Sequence, residues 1–336
     1  MTATRIGLMG FGRIGRNVFR LLHGRDDLEI VAINDVADPE ALTYLLKYDS
    51  LYGRFPGKVS YADGFLDYDG RKVRFGQAAT PADTSWAQDE VDIVFETTSR
   101  YRSREVLQGH LDNGARRVVL TSSPEVPGEI PLLIRGVNDE VLDDDPVMVA
   151  MASNTANAAT PILKALDDTF GIKRVFITAV KALSKSGRLA DVPTDSYRTS
   201  RAAGENIIPS ETNSGEVITQ VLPELEGKIS VVALNVPVPD GSTVDMVADV
   251  EQETTVEEVN DAVRKAIEKI PEVIEFVADP IVSSDVRMNS HSGVFDSLAT
   301  MVTGGTLVKT IVWFNNGWGY SHRVVEVAER IAGGLK

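Results

Sequence analysis

The chain has 336 residues, no cysteine and a formal net charge of −15 at pH 7. The length predicts two domains, and the negative charge argues against a nucleic-acid partner. The absence of cysteine excludes disulfides and thiol nucleophiles, no metal-ligand spacing is present, and no apolar run is long enough for a membrane span, so we expect a cytoplasmic protein without a metal site.

A glycine-rich turn follows the first predicted strand. Residues 5–9 predict a short buried strand, and an amphipathic helix is predicted to end at Leu22. Between them lies G-x-G-x-x-G, in which the first glycine makes a tight turn, the second lets pyrophosphate approach and the third allows close packing. We expect a dinucleotide to bind at this loop, which consists of Gly10, Phe11, Gly12, Arg13, Ile14 and Gly15.

A second predicted strand, residues 28–33, ends in Asn34 and Asp35. Asp35 lies about 20 residues after Gly15, where a carboxylate accepts hydrogen bonds from the adenosine ribose. A carboxylate there also repels a 2′-phosphate, which favours NAD over NADP. We therefore include Asn34 and Asp35 among the predicted cofactor residues. The alternative is a glycine turn that serves packing alone.

Strands and helices continue to alternate up to residue 123. Residues 91–98 and 117–123 predict strands, with a helix over 102–111 between them, and 61–75 predicts a meander with a turn at Asp69 and Gly70. This alternation predicts a parallel sheet with ligands at the carboxyl ends of its strands. Thr97, Thr98 and Ser122 fall at such ends. Tyr101 either stacks on adenine or is an ordinary exposed tyrosine.

The middle of the chain joins an apolar run to a polar turn. Residues 147–151 are apolar, and the small polar group SNTAN begins at Ser153. A helix begins near this point, and the helix N-terminus would present backbone N–H groups to a ligand.

The second half predicts a separate α+β domain with a mostly antiparallel sheet. Strands are predicted over 175–183, 229–238, 243–250, 281–288 and 306–314, and the second and third of these are expected to be antiparallel around a turn at 239–241. Helices are predicted up to Leu222, over 256–270 from caps at Thr254 and Thr255, and over 318–331, and 184–209 predicts a polar loop.

Several stretches along most of the chain match one known family in sequence order. They include GFGRIGRNVFR (10–20), VAINDVAD (31–38), LLKYDSLYGRFPGKV (45–59), RAAGENIIPSETNSG (201–215), NVPVPDGSTVDM (235–246) and WFNNGWGYSHRV, which begins at Trp313. With these stretches, most of the chain resembles the phosphorylating glyceraldehyde-3-phosphate dehydrogenase family. The resemblance implies an NAD-binding Rossmann domain of residues 1–152 plus 316–336 and a catalytic domain of 153–315. It also implies a small-molecule substrate, a homotetramer and a C-terminal helix that packs back on the Rossmann domain. In the last motif, Asn316 would hold the nicotinamide carboxamide, and Tyr320 is a further predicted cofactor residue.

The sequence departs from the family pattern at the residues that carry its chemistry. The family's nucleophilic cysteine lies in S-C-T-T-N-C, which here reads SNTANA and places Asn154 at the nucleophile. The family's histidine base lies in V-H-A, and Lys181 holds that position. Of two phosphate-binding arginines, one is replaced by Asn235. The other arginine position aligns with Thr199, which Arg198 and Arg201 flank. The predicted substrate or anion residues are Ser153, Thr155, Ser184, Ser186, Arg198, Thr212 and Asn235.

Two hypotheses of function remain open at this point. The first is an NAD-dependent oxidoreductase that acts on an aldehyde or alcohol without a covalent intermediate. In it, burial beside the nicotinamide lowers the pKa of Lys181, which acts as acid and base, and Asn154 polarises the substrate oxygen. The second is an inactive NAD-binding paralogue that acts as a sensor or assembly partner. Lys181 could instead form an ion pair or a Schiff base, and Asn154 could be only a helix N-cap.

Overall fold

The structure is a computed structural model that describes residues 3–184 and 187–334. The chain divides into two compact units. The first unit comprises Met1–Leu133, Asp139–Ala152 and Ser321–Lys336, and the second comprises Ile134–Asn138 and Ser153–Tyr320. The division of the chain into functional domains of 1–152 plus 316–336 and 153–315 stays a prediction.

The first unit is built on a mainly parallel sheet. Its strands are β1 (Thr4–Met9), β2 (Leu28–Asn34), β3 (Tyr48–Asp49), β4 (Gly53–Arg54), β5 (Val59–Ala62), β6 (Phe65–Tyr68), β7 (Arg71–Gly76), β8 (Ile93–Glu96), β9 (Arg117–Leu120), β10 (Leu132–Leu133) and β11 (Met148–Met151). Its first three helices are α1 (Arg13–Leu22), α2 (Pro39–Lys47) and α3 (Arg104–Asp112). The main sheet has the order β10-β11-β9-β8-β1-β2-β7-β6-β5, and neighbours from β10 to β7 are parallel. This confirms the predicted Rossmann sheet.

The antiparallel edge of this sheet is the predicted meander. Strands β5, β6 and β7 pair in sequence order. The two residues between β6 and β7 are Asp69 and Gly70, and both have positive φ, 52° and 87°. A two-residue hairpin turn with both φ values positive matches the right-handed twist of the flanking strands. The Asp-Gly pair therefore marks this hairpin correctly in the sequence.

The second unit contains a mixed sheet with helices. Its strands are β12 (Ile172–Lys181), β13 (Ile208–Ser210), β14 (Ile229–Asn235), β15 (Ser242–Val250), β16 (Ile274–Val277), β17 (Gly293–Asp296), β18 (Met301–Thr303) and β19 (Leu307–Phe314), and its helices are α4 (Asn154–Phe170), α5 (Ser214–Val221) and α6 (Val256–Ile267). The sheet order is β13-β14-β12-β15-β19-β17-β16, with β18 on β19. Only β12–β14 and β16–β17 are parallel among the pairs in the described residues, so the predicted mostly antiparallel sheet is confirmed.

Two details of the second unit differ from the sequence prediction. Strands β14 and β15 run in opposite directions, as predicted, but they do not pair with each other, because β12 lies between them and is parallel to β14. The long segment that contains α5 allows this parallel connection. The predicted strand over 281–288 is also wrong, since Ser283–Val286 forms a 3-10 turn. The Asp285 carboxylate accepts the Val282 N–H at 2.8 Å, and such a local bond competes with strand formation.

Of the two predicted caps of the third helix in the second unit, Thr254 and Thr255, the structure confirms Thr255. Thr255 Oγ1 accepts the Glu258 N–H at 3.2 Å, and the Glu258 carboxylate accepts the Thr255 N–H at 3.0 Å, which is a capping box at the start of α6. The last helix, α7 (Trp318–Gly334), begins in the second unit and continues as part of the first. Within the described ranges, no helix is long and apolar enough to cross a membrane.

Candidate functional site

The glycine loop of the first unit has the three properties expected of a dinucleotide loop. Gly10 has φ +95°, and a Cβ there would lie 2.9 Å from Thr97 Oγ1. A Cβ on Gly15 would lie 2.4 Å from the Gly10 oxygen, so α1 packs against the turn too closely for any side chain. A Cβ on Gly12 would meet nothing within 4 Å, and no side chain caps α1 there. Open space in front of uncapped N–H groups suits a phosphate.

The residues around this loop divide between the core and the start of α1. Phe11 is fully buried and packs edge-on against Phe19, with ring centroids 5.7 Å apart. Arg13 and Ile14 are half-buried in the first turn of α1. The Phe11 side chain therefore anchors the loop in the core.

The two predicted residues after β2 have different partners. Asp35 accepts the Phe11 N–H at 2.6 Å on one carboxylate oxygen and the Ala37 N–H at 2.9 Å on the other. Each oxygen can accept a further bond, so ribose binding by Asp35 is compatible with these contacts. The buried Asn34 amide exchanges two 2.8 Å hydrogen bonds with the Ala78 backbone. Asn34 thus joins the end of β2 to the chain after β7.

The hydroxyl groups at the carboxyl ends of β8 and β9 are used in different ways. The Thr97 hydroxyl donates to the oxygens of Met9 and Gly10, at 3.1 and 2.8 Å, and the Thr98 hydroxyl donates to Glu96 at 2.5 Å. The Tyr101 hydroxyl donates to the Ala79 oxygen. Ser122 differs, because its buried hydroxyl has no hydrogen-bond partner among the residues described. Ser122 is therefore the better candidate for a direct side-chain contact with a ligand.

In the second unit, Asn154 is the first residue of α4. Ser153 provides the N-cap, since its hydroxyl accepts the Ala156 N–H at 3.2 Å. The alternative of Asn154 as the N-cap is therefore wrong. The Asn154 amide oxygen accepts the Thr155 N–H at 2.8 Å, and its nitrogen donates to the Asn316 backbone oxygen at 2.9 Å. The second N–H of this amide remains open to a substrate.

Lys181 is the last residue of β12 and lies beside Asn235 of the parallel strand β14. Its side chain is half-buried, and burial lowers the pKa of its amine. No carboxylate in the described part of the chain pairs with this amine. Lys181 therefore forms no ion pair with a described residue, and its amine is available for proton transfer.

Asn316 connects the neighbourhoods of Asn154 and Lys181. Its backbone oxygen accepts from Asn154, and its side-chain oxygen accepts from the Ser242 hydroxyl. Ser242 in turn accepts the Ala182 N–H at 2.9 Å, and the Asn316 amide donates a long 3.5 Å bond to the Ala182 oxygen. Ala182 follows Lys181 directly, so these bonds bring the starts of α4 and α7 to the end of β12. Ser242 lies in the matching stretch 235–246, but the sequence does not indicate this role.

The predicted anion residues form two hydroxyl and amide clusters. Thr212 and Ser214 hydroxyls lie 2.9 Å apart, and Ser214 lies 3.5 Å from the Ser153 hydroxyl. Asn235 donates to the Ser210 hydroxyl at 3.0 Å. Sequence reasoning did not select Ser210 and Ser214, although both lie in the matching stretch 201–215, because neither carries a charge that would mark it as an anion ligand.

The other predicted residues of this unit are more scattered. Thr155 is fully buried, and its hydroxyl has no hydrogen-bond partner among the described residues. The Tyr320 hydroxyl is also buried without such a partner, and burial raises the pKa of Tyr320. Ser184 and Arg198 are exposed. Ser186 lies outside the described residues.

The Rossmann sheet, the glycine loop and a second unit of mixed sheet define the class of two-unit proteins that bind a nicotinamide dinucleotide. Residues 4–104 match the model of the glyceraldehyde 3-phosphate dehydrogenase NAD binding domain, and 153–316 match that of the C-terminal domain. The chain is 40% identical over 332 residues to glyceraldehyde-3-phosphate dehydrogenases of Priestia megaterium and Geobacillus stearothermophilus, with 98% of each chain covered. It is 42% identical over 332 residues to that of Kitasatospora aureofaciens, covering 98% of this chain and 99% of the relative.

The chain therefore belongs to the glyceraldehyde-3-phosphate dehydrogenase family. It is a member of an NAD-dependent oxidoreductase family, and the NAD-binding domain identifies NAD as its cofactor.

Proposed function

We propose that this protein is an NAD-dependent oxidoreductase that acts on an aldehyde or alcohol without a covalent enzyme–substrate intermediate. It is a divergent family member, in which Asn154 and Lys181 replace the nucleophilic cysteine and the histidine base. An amide is not a nucleophile at neutral pH, and the chain has no cysteine elsewhere to replace the thiol. The phosphorylating route through a thioester is therefore not available to this chain.

The residues of the first unit fit NAD. Gly12 leaves open space before the uncapped start of α1, and Asp35 retains acceptor capacity for ribose hydroxyls. By resemblance to the family, Asn316 would hold the carboxamide, and its side-chain amide keeps donor and acceptor capacity beyond its bonds to Ser242 and Ala182. When bound, NAD supplies the acceptance of hydride, and its reduced form supplies hydride donation.

The hydrogen bonds from Asn154 through Asn316 and Ser242 to Ala182 are the observation that carries the proposal. They support a common location for the Asn154 amide and the residue after Lys181. Asn154 is held in orientation by two internal bonds and keeps one N–H for the substrate oxygen. Lys181 brings an amine with a lowered pKa that no described carboxylate pairs with.

Each side chain then has a distinct task in the reaction. During oxidation, the neutral Lys181 amine takes the proton of the substrate hydroxyl, or of an aldehyde hydrate, at Nζ. During reduction, the protonated amine returns it. The open N–H of Asn154 donates to the substrate oxygen and stabilises the negative charge that develops there, as an oxyanion-hole amide does.

The proposal is tested by turnover assays with a panel of small aldehydes, alcohols, hydroxy acids and sugar phosphates. The absorbance of reduced nicotinamide is followed with wild-type protein, Lys181→Ala and Lys181→Arg. We expect wild-type turnover with at least one compound, and a loss of about 100-fold or more in both variants at neutral pH, with NAD affinity unchanged. The arginine variant keeps the positive charge but cannot give up its proton.

Two outcomes would contradict the proposal. Tight NAD binding without turnover across the panel would favour an inactive NAD-binding paralogue. Phosphate-dependent formation of an acyl phosphate would show that the family's usual reaction persists without its cysteine.

We also propose the family's homotetramer and the domain division of 1–152 plus 316–336 and 153–315. Light scattering of the purified protein tests the assembly.

A further inference from the structure

A buried polar network lies behind the nucleotide loop of the first unit. Glu96, at the end of β8, and His110, on α3, are both 0% exposed, and Trp86 is 1% exposed. Trp86 Nε1 lies 2.9 Å from His110 Nδ1, and His110 Nε2 lies 3.3 Å from a Glu96 carboxylate oxygen. The other Glu96 oxygen is 2.8 Å from the Thr98 backbone nitrogen and 2.5 Å from its hydroxyl.

Trp86 fixes the direction of both hydrogen bonds that His110 makes. The indole N–H can only donate, so His110 Nδ1 must accept, and the single ring proton must lie on Nε2. His110 therefore donates to Glu96, as do the N–H and the hydroxyl of Thr98. All three groups that point at Glu96 are donors, and only an acceptor-only side chain satisfies them. Within the described residues, no lysine or arginine pairs with Glu96.

The network continues into the glycine loop through Thr97 and Thr98. A Cβ on Gly10 would lie 3.0 Å from the Thr98 backbone nitrogen, so Gly10 packs directly on the residue that Glu96 holds. The Thr97 hydroxyl donates to the Gly10 oxygen at 2.8 Å. The Thr98 hydroxyl also accepts the Arg100 N–H at 3.1 Å, so its proton and one of its two acceptor positions are used within the turn. A shift of the Thr97–Thr98 segment would thus change the loop that we expect to hold the cofactor pyrophosphate.

We infer that Glu96 is a positioning residue for NAD: its carboxylate fixes the Thr97–Thr98 turn against Gly10 and so holds the glycine loop in its binding conformation. The Trp86 N–H places the ring proton of His110 on Nε2, and a carboxylate at position 96 is therefore needed to accept it. The inference depends on NAD binding and not on turnover, so it can hold or fail independently of the proposed reaction.

The test uses the full-length protein and NAD affinity measured by isothermal titration calorimetry. Glu96→Gln keeps the size of the side chain but adds an N–H group that must face a donor at His110 or at Thr98. We expect the NAD Kd to rise about tenfold. Trp86→Phe releases His110 to move its proton to Nδ1 and accept from the new amide at Nε2. The double variant should therefore bind NAD better than Glu96→Gln alone.

If the double variant recovers NAD affinity, the weaker binding of Glu96→Gln is due to the hydrogen-bond network and not to a general loss of stability. Thr84→Val is the matched control, because Thr84 is buried in the same unit and its hydroxyl donates only to the Pro81 oxygen. It should lower the unfolding midpoint and leave the NAD Kd within twofold of wild type.

If Glu96→Gln does not fold, Glu96→Asp tests the same idea, because the shorter carboxylate cannot reach both partners. An unchanged Kd in a folded Glu96 variant, or a double-variant effect equal to the product of the single effects, would overturn the inference.

Discussion

The side-chain amide of Asn154 donates a 2.9 Å hydrogen bond to the backbone oxygen of Asn316. The first residue of α4 is thereby joined to the segment that precedes α7. Because the Asn154 oxygen also accepts the Thr155 N–H at 2.8 Å, both ends of the amide are held. A fixed amide with one open N–H is suited to bind a substrate oxygen without reorganisation during the reaction.

Replacing Asn154 with aspartate should remove this donor at almost constant size. The carboxylate would face the Asn316 oxygen without a proton to donate and would offer no N–H to the substrate. We expect kcat to fall about 100-fold or more, the range seen when an oxyanion-hole donor is lost, with little change in the Kd for NAD. Steady-state kinetics on the best compound of the panel gives the result. Asn260→Asp is the comparison variant, because the Asn260 amide also donates to a backbone oxygen, that of Ser297 at 3.1 Å, and lies outside the predicted site. A kcat of Asn154→Asp equal to that of wild type would remove Asn154 from the reaction.

The pH dependence of turnover should report the amine of Lys181. Burial lowers the pKa of this amine below its ordinary value of 10.5. Oxidation requires the neutral amine, so kcat/KM for oxidation should rise with pH through the lowered pKa and then level off. Reduction requires the protonated amine and should fall over the same range. Initial rates across a pH series measure both. A rate that does not depend on pH in either direction would exclude Lys181 as the proton carrier.

The same lowered pKa implies a cost in stability at neutral pH. Below the folded-state pKa, the amine is protonated in both states, and the folded protein bears the whole penalty of the half-buried cation. Between that pKa and 10.5, the unfolded state binds more protons, so stability rises with pH. Lys181→Met should therefore raise the unfolding midpoint by a few degrees at pH 7, and the gain should shrink as pH rises. Thermal unfolding of both proteins at several pH values tests this, with Lys173→Met as an exposed control. A gain that grows with pH would have the wrong sign.

The first unit could be predicted well because its signals are local. The Asp69-Gly70 turn has both φ values positive, and the glycine pattern falls between a strand and a helix as the sequence indicates. In the second unit, local sequence patterns do not predict which strands pair. Residues 229–238 and 243–250 look like a hairpin, yet β12 separates the two strands, because strand order depends on long-range pairing.

Only the site residues at positions that a family motif identifies as functional could be predicted from the sequence. Asn154 and Lys181 lie at positions that the family resemblance identifies. Ser242 joins Ala182 to Asn316 but is an ordinary serine in the sequence. Glu96 and His110 lie 14 residues apart, and their contact arises from the packing of α3 against the sheet end. Neither contact has a spacing or composition that predicts it.

Two alanine substitutions in the glycine loop should separate cofactor binding from folding. A Cβ on Gly12 would meet nothing within 4 Å, so Gly12→Ala should leave the unfolding midpoint unchanged and raise the NAD Kd about tenfold or more, since its methyl group occupies the space that the pyrophosphate needs. A Cβ on Gly15 would lie 2.4 Å from the Gly10 oxygen, so Gly15→Ala should cost about 1–3 kcal/mol of stability. Denaturant unfolding and calorimetric titration with NAD measure the two quantities.

The control for both substitutions is Gly333→Ala. A Cβ on Gly333 would also meet nothing within 4 Å, and this residue lies in α7, far along the chain from the loop. Its substitution should leave the NAD Kd unchanged, because the added methyl group enters no space that the cofactor needs. If Gly12→Ala bound NAD as tightly as this control, the pyrophosphate would have to lie elsewhere, and the expected docking of NAD on the start of α1 would be wrong.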